Sequence, residues 1–381
     1  MKPALAFLVP LCLLWACGPK KKADNSKPSD KMDEKFQSII DSMFQAVPNT
    51  KGIAMHIEAP DRKISWTGAT GWADQATERK MQPDDPARIA SVTKTYVAAA
   101  ILRLVDQGKI RLGQPINDLI SEKSAALLDS VGYAVSEITV AQMVSHTSGI
   151  KDYVDTDSFQ NLTLEEPKKV WTRDEQIALA MSFPPKAGPA QEFSYSETGY
   201  LLLTEIIERQ TDLPFHTAMR QLLSYEQYGL NETWFELLEQ SPAHLSPLVH
   251  QFAGEFKVES YGLNATFDLF GGGGIAATTK DVALFTQLLF NGKLFDNPET
   301  KELLYHTVAT ADGKDNAYYM GIARTELGPY TCYGHGGFWG TTTQYFPEFN
   351  ASVCIFLMER DEWAKYQEIL HRVAEVLDTN K

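Results

Sequence analysis

Cysteine is scarce, four in 381 residues, and two of the four lie within the first 17 positions. A small domain held together by a lattice of disulfides is thereby excluded. Cationic charge is also in deficit. Against 49 Asp and Glu there are 35 Lys and Arg, a formal net charge of −14, and so acidic a chain argues against nucleic acid as a partner. Paired Cys spacings and H-E-x-x-H are missing and the eight histidines are scattered, so the sequence supports no metal and no other cofactor. Beyond the first 16 residues no apolar run is long enough to cross a bilayer. No internal repeat is visible.

Apolar residues, in contrast, are plentiful. At 44% hydrophobic the chain can bury a large core, and its length suits one big domain or two interleaved subdomains. Lys2 followed by the apolar stretch Ala4 to Trp15 and the small Ala16 reads as a signal peptide over residues 1–16. Leu14-Trp15-Ala16-Cys17 resembles a bacterial lipobox, which implies lipidation at Cys17. The protein is then expected to sit on a membrane through that lipid, in the periplasm or at the outer membrane or cell surface. The Lys-rich, aromatic-free segment that follows makes 17–35 a flexible tether, and 36–381 the folded domain. Cys332 and Cys354 lie in strand-like runs with a third run, GTTTQYF, between them. In a meander these cysteines would be one strand too far apart to bridge, and both are expected as free, buried thiols.

The hydrophobic pattern places strands at both ends and helices between. GIAMHIEA alternates, with Ile53, Met55 and Ile57 on one face, and pairs with RKISWTGATGW across the turn at Pro60-Asp61. Residues of about 110–255 read mostly as helices, interrupted at HTSGI, FPPKAGP and TDLPF. TTKDVALFTQLLFNGKLF is a further helix, with Thr278 and Asp281 in capping spacing and Asn291-Gly292 as its stop. PYTCYGH, TTTQYF and ASVCIFLME close the sheet before a last helix, WAKYQEILHRVAEVL. The expected fold class is α+β: an antiparallel sheet of about five strands, built from both termini and flanked by helices, beside a helical subdomain.

IASVTKTYVAAAIL carries the first chemical signal. A helix beginning at Ser91 would leave its first N–H groups free and its dipole positive beside the hydroxyl, favouring a developing alkoxide. Lys94 stands one turn on, on the same face, within reach of that hydroxyl. The spacing S-x-x-K alone should arise about once by chance in a chain of this length. Further along, QEFSYSETGYLLL sets Tyr195 in a polar loop before a helix, where a phenol could pass protons. YGHGGFWGTTTQYF puts His335, Gly336 and Gly337 at the end of a strand, where glycines permit close approach of a ligand.

In this order, S-x-x-K, a Tyr-centred triplet and a basic residue with two glycines resemble the serine β-lactamase and DD-peptidase superfamily. The nearest branch is that of class C β-lactamases with their esterase and D-amino-acid peptidase relatives. The likeness runs from about Lys51 to Glu359 and includes MVSHTSGIKDY and GGGGIAATTKDVALF. It implies Ser91 as acylated nucleophile, Lys94 as the group that helps deprotonate it, and Tyr195 as proton shuttle. It also implies an oxyanion hole of the Ser91 and Phe338 backbone N–H groups, with His335, Gly336 and Gly337 contacting substrate. The implied partner is a small acyl substrate acted on by a monomer. His335 replaces the family's lysine and, as a partly charged imidazole near neutral pH, should bind carboxylates more weakly. Glu197 stands where penicillin-recognising members have asparagine. Two readings of it are open: it turns away into solvent or a salt bridge, or it faces the site, weakens Lys94 as a base and rewrites specificity, for instance by binding a substrate amine. His146 reads as part of a structural turn, and Gly271 to Gly274 as close backbone packing beside the site.

Overall fold

Strand pairing ties the two ends of the chain together. The computed structural model describes residues 28–379 apart from 48, 50, 186 and 363, so the signal segment and Cys17 lie outside the described residues. Strands β1 (Gly52–Ala59), β2 (Ile64–Asp74) and β3 (Arg79–Lys80) come from the N-terminal part. Strands β4 (Ala323–Leu327), β5 (Tyr330–Gly337), β6 (Thr341–Phe346) and β7 (Ala351–Leu357) come from the C-terminal part. They form one seven-stranded antiparallel sheet in the order β3-β2-β1-β7-β6-β5-β4. The junction is β1 against β7, in register from Ile53 opposite Leu357 to Glu58 opposite Ser352.

Both faces of this sheet are covered, which is why β1 and β7 are buried nearly throughout. On one face Ile53, Met55, Ile57, Val353 and Ile355 pack with helices α1 (Pro28–Ala46) and α5 (Ala364–Asp378). On the other, Ala54, Cys354 and Phe356 meet helices α2 (Thr93–Asp106) and α4 (Thr279–Phe290) in the larger core. There Tyr96 of α2 stacks on Phe285 of α4 with ring centroids 3.5 Å apart. Eleven of the fourteen residues of α2 are buried, as expected of a helix lined on every side. Thr278 caps α4 by accepting from the Asp281 N–H. Helix α3 (Glu197–Thr211) is the longest of the helical subdomain, and a small sheet of Ala87–Arg88, Ile275–Ala277 and Thr233–Phe235 connects that region to the start of α2.

Two boundaries differ from expectation. The presumed tether ends earlier, because α1 begins at Pro28; Phe36, Ile39, Ile40 and Met43 form a buried stripe at helical spacing, with Phe36 against Trp66 at 5.4 Å. The sheet has seven strands and not five, because β3 is two residues long and β4 is an edge strand whose ARTEL lies largely toward solvent. An edge of that kind has no apolar alternation to read. Cys332 and Cys354 lie on β5 and β7 with β6 between them, free and buried as anticipated, and burial pushes the Cys332 thiol up to about 12. Peptide-mapped iodoacetamide labelling should therefore leave both unmodified in the native protein and mark them only through the unfolding transition. Rapid labelling of either without denaturant would contradict this packing.

Candidate active site

Ser91 sits in a single 3-10 turn, Ala90–Val92, that precedes α2. The α-helix proper starts at Thr93, where the run of good helix formers begins, so Ser91 belongs to the turn before it. Ala90 has φ 46°, a left-handed conformation that costs a non-glycine residue roughly 1–2 kcal/mol. Contacts from the sheet hold the turn: Thr341 Oγ1 donates to Ile89 O at 2.9 Å. A Cβ on Gly337 would lie 2.2 Å from the same carbonyl, so only glycine lets β5 approach this closely.

Lys94 lies in the first turn of α2 and is wholly buried. Its Nζ is 3.0 Å from Ser91 Oγ, 2.7 Å from Glu197 Oε2 and 2.7 Å from Gly272 O. Three acceptors meet the three N–H bonds of an ammonium. Glu197 therefore does not turn away. It is the first residue of α3, a helix start that favours a carboxylate, and without it Lys94 would be a buried cation lacking a counter-charge. Its Oε1 lies 3.4 Å from Ser91 Oγ. Gly272 completes the nest. A Cβ there would sit 1.8 Å from Glu197 Oε2, which gives the glycine cluster the backbone-packing role expected of it.

Tyr195 occupies the loop before α3, and His146 holds that loop at both sides. The His146 carbonyl accepts from Ser194 N at 2.8 Å and its Nδ1 from Ser196 N at 3.1 Å, while the two rings lie 4.1 Å apart. Sequence reasoning took His146 as a turn residue only; the break at HTSGI marked the turn but not its partner. Burial, then the Lys94 charge, holds the His146 imidazole well below its usual range, so it is a neutral acceptor. Burial first, then Glu197, pushes the Tyr195 phenol well above 10, against a hydrogen bond with Ser91 that acts in the other direction. A protonated phenol beside Ser91 can give a proton and take it back.

His335 requires a correction. Burial, then Lys94, brings its imidazole down to about 3, so it is neutral and not partly charged near pH 7. Its Nδ1 is 2.6 Å from Gly336 O, which can only accept, so Nδ1 bears the hydrogen. Nε2 is left as acceptor for Tyr318 Oη–H at 3.1 Å. Nothing in the sequence marked Tyr318. Asp152, also missed, is buried behind Glu197 and accepts from the backbone N–H groups of Glu197 and Val154. Burial and the neighbouring Glu197 raise its carboxyl to about 7.

Ser91, Tyr195, Glu197, His335, Gly336, Gly337 and Phe338 all line one cleft of about 650 Å³. A wider groove of about 1010 Å³ between the terminal helices, beside Lys31 and Arg372, has no comparable convergence of reactive groups. No cluster of ligating side chains able to hold a metal occurs among the described residues.

The model of the beta-lactamase family matches residues 40–378. The chain belongs to the beta-lactamase family. It is a serine hydrolase, as the resemblance of its motifs implied. Among similar proteins is Penicillin-binding protein 4* of Bacillus subtilis (strain 168), 21% identical, covering 80% of this chain and 67% of the relative. Esterase EstB of Burkholderia gladioli is 28% identical over 51% of this chain and 50% of its own length, so the chain spans only half of that relative. The crystal structure of D-amino acid amidase from Ochrobactrum anthropi SV3 with D-phenylalanine shares the fold, with a TM-score of 0.76 at 19% identity, covering 92% of this chain and all of that one.

Two predictions follow from the surroundings of the cleft. Asp152 has a native pKa of about 7, above an ordinary aspartate, so between about pH 4 and 7 the folded state keeps a proton that the unfolded chain releases. Its contribution to stability therefore falls as pH rises through that window and is level outside it. Urea unfolding of wild type and Asp152→Asn should give a stability difference with that slope; a flat difference would refute it. His146→Ala should lower kcat for a fluorogenic short-chain ester about ten-fold or more, on the order of 1.4 kcal/mol, with KM little changed. Undiminished kcat would show that the Tyr195 loop does not rely on His146.

Proposed function

We propose that the protein is an exported, lipid-anchored serine hydrolase that cleaves small esters or amides, including D-amino-acid or cell-wall peptide substrates, through an acyl-enzyme on Ser91. The observation that carries this reading is Ser91 Oγ 3.0 Å from the buried Lys94 Nζ, in the same cleft as Tyr195 and the Gly336-Gly337-Phe338 strand end. In this reading Lys94 and Glu197 act as a pair. Passing one ammonium proton to Glu197 Oε2 along their 2.7 Å contact frees the Nζ lone pair to accept the Ser91 proton. Oγ then bonds to the carbonyl carbon, while the backbone N–H groups of Ser91 and Phe338 stabilise the oxyanion, on the order of 3 kcal/mol each. Tyr195 protonates the departing alkoxide or amine and is reprotonated with the proton Lys94 took from Ser91, as Glu197 hands its own back to Lys94; a water activated by the same groups later releases the acid. Anchorage by a lipid on Cys17 would place this cleft outside the cytoplasm.

A true β-lactamase or a DD-carboxypeptidase is the less favoured enzyme, because both act on substrates bearing a carboxylate and His335 is neutral here. A second class of function is a catalytically weak receptor for cell-wall peptides. The saturated Lys94 ammonium is the observation on its side. Intact-mass spectrometry after treatment with a fluorophosphonate separates the two. One adduct is expected in wild type and none in Ser91→Ala, with hydrolysis of short esters or D-amino-acid amides reduced at least about 1,000-fold in the variant. No adduct, together with unchanged behaviour of Ser91→Ala, would favour the receptor. Ester turnover should exceed that of nitrocefin, and nitrocefin hydrolysis rivalling the best ester would overturn the substrate assignment.

A further inference from the structure

The groups around Ser91 set where a carbonyl sits, and the remaining valences of the cleft set which charge may accompany it. A substrate carboxylate finds few donors. All three N–H bonds of Lys94 are spent inside the protein. Both nitrogens of His335 are spent as well, Nδ1 on Gly336 O and Nε2 on Tyr318. Arg360 also lines the cleft, 4.6 Å over the rings of Phe256 and Phe338; its Nη1, 3.7 Å from Glu255 Oε2, has the ion pair but no hydrogen bond among the described residues, so it is the one guanidinium set against the carboxylates there. The same cleft is lined by three carboxylates, Glu197, Glu255 and Asp361.

Only Glu197 of these reaches the hydroxyl. Lys94 occupies its Oε2, whereas Oε1 has Ser91 Oγ at 3.4 Å, well beyond the ~2.7–2.9 Å of a charge-assisted hydrogen bond. This oxygen retains accepting capacity beside the reacting atom. A carbonyl carbon poised for attack stands about 3–3.5 Å from Oγ. An α-nitrogen lies roughly 2.5 Å from that carbon, by ordinary bond lengths and angles. A contact of about 2.8 Å from that nitrogen to Oε1 then closes a four-membered circuit on the observed 3.4 Å side.

We propose that Glu197 Oε1 receives the α-ammonium of the substrate, so that the cleft takes α-aminoacyl esters and amides over acyl groups that are neutral or carry a carboxylate there. This rests on the Ser91 acyl-enzyme reading. The ammonium keeps its three hydrogens throughout. The bond formed is Oγ to carbonyl carbon, the bond broken is carbon to the leaving oxygen or nitrogen, and the leaving group departs with the Tyr195 proton, which the Ser91 proton replaces by way of Lys94.

The test compares phenylalanine methyl ester of either hand with methyl 3-phenylpropanoate, and with benzylmalonate monomethyl ester, which carries a carboxylate in place of the amine. At about pH 6.5, kcat/KM for the better amino ester should exceed that of the desamino ester at least about ten-fold, or roughly 1.4 kcal/mol. The carboxylate ester should fall at least ten-fold below the desamino ester. In Glu197→Gln, with each ratio taken within the variant, the first preference should shrink to within about two-fold. Equal kcat/KM for amino and desamino esters in wild type would overturn the proposal while leaving Ser91 catalysis intact. Failure of every ester, with no fluorophosphonate adduct on Ser91, would overturn both. Should Glu197→Gln lose all activity, competition in wild type decides: phenylalaninamide should inhibit desamino ester hydrolysis at least ten-fold more tightly than 3-phenylpropanamide, and equal inhibition would refute the proposal.

Discussion

A lysine ammonium with no exposed surface is the constraint from which the site is built. Burying a charge of this kind without partners costs several kcal/mol, so each neighbour of Lys94 has a fixed task. Glu197 supplies the counter-charge, the Gly272 carbonyl the second acceptor and Ser91 the third. Gly272 has to be glycine because the Glu197 carboxylate fills the space of its Cβ. Glu197 in turn has to begin a helix, since Ser196 caps α3 at that point. Beyond α3, Asp152 takes the backbone N–H of Glu197 and pays for its burial with a raised pKa.

The ion pair also joins two parts of the fold at the point where the sheet edge meets them. Ser91 and Lys94 belong to α2 and the turn before it, Glu197 and Tyr195 to the helical subdomain, and the Gly336-Gly337-Phe338 edge to the sheet. The cleft is the seam among these three. Hydrogen bonding at the seam is directional: Thr341 fixes the Ile89 carbonyl, His146 fixes the residues on either side of Tyr195, and Tyr318 fixes the imidazole of His335. A serine that relied on a flexible loop could not keep such contacts at hydrogen-bond length.

Much of this was legible from residue order. The alternation in GIAMHIEA and ASVCIFLME gave strands at both ends, because apolar faces buried under helices leave a period that can be read. Ser91 and Lys94 stood out through spacing, and Tyr195 and the His335 strand through order along the chain. What could not be read was set by contacts between distant segments. ARTEL is an edge strand without an apolar face, so β4 left no trace. Phe36, Ile39, Ile40 and Met43 do have helical spacing, yet the Lys-rich run before them drew the boundary too late. The neutral state of His335 depends on burial and on the Lys94 charge, and neither effect has a local signature. Glu197 was recognised as the departure from the family's triplet, but its direction was decided by the Lys94 ammonium, 103 residues earlier in the chain.

The junction of β1 with β7 has a kinetic consequence. Its partners, Ile53 and Leu357, are among the most widely separated in the chain, and loops of such length close late because their entropy is lost before the contact repays it. During synthesis β1 lacks its β7 partner, and keeps an unpaired apolar edge, until the chain has emerged through Leu357. The strand end that faces Ser91 is equally late, being part of the C-terminal meander. Catalytic competence is therefore withheld from nascent and truncated chains alike, and an incomplete chain exposes a strand edge prone to aggregation.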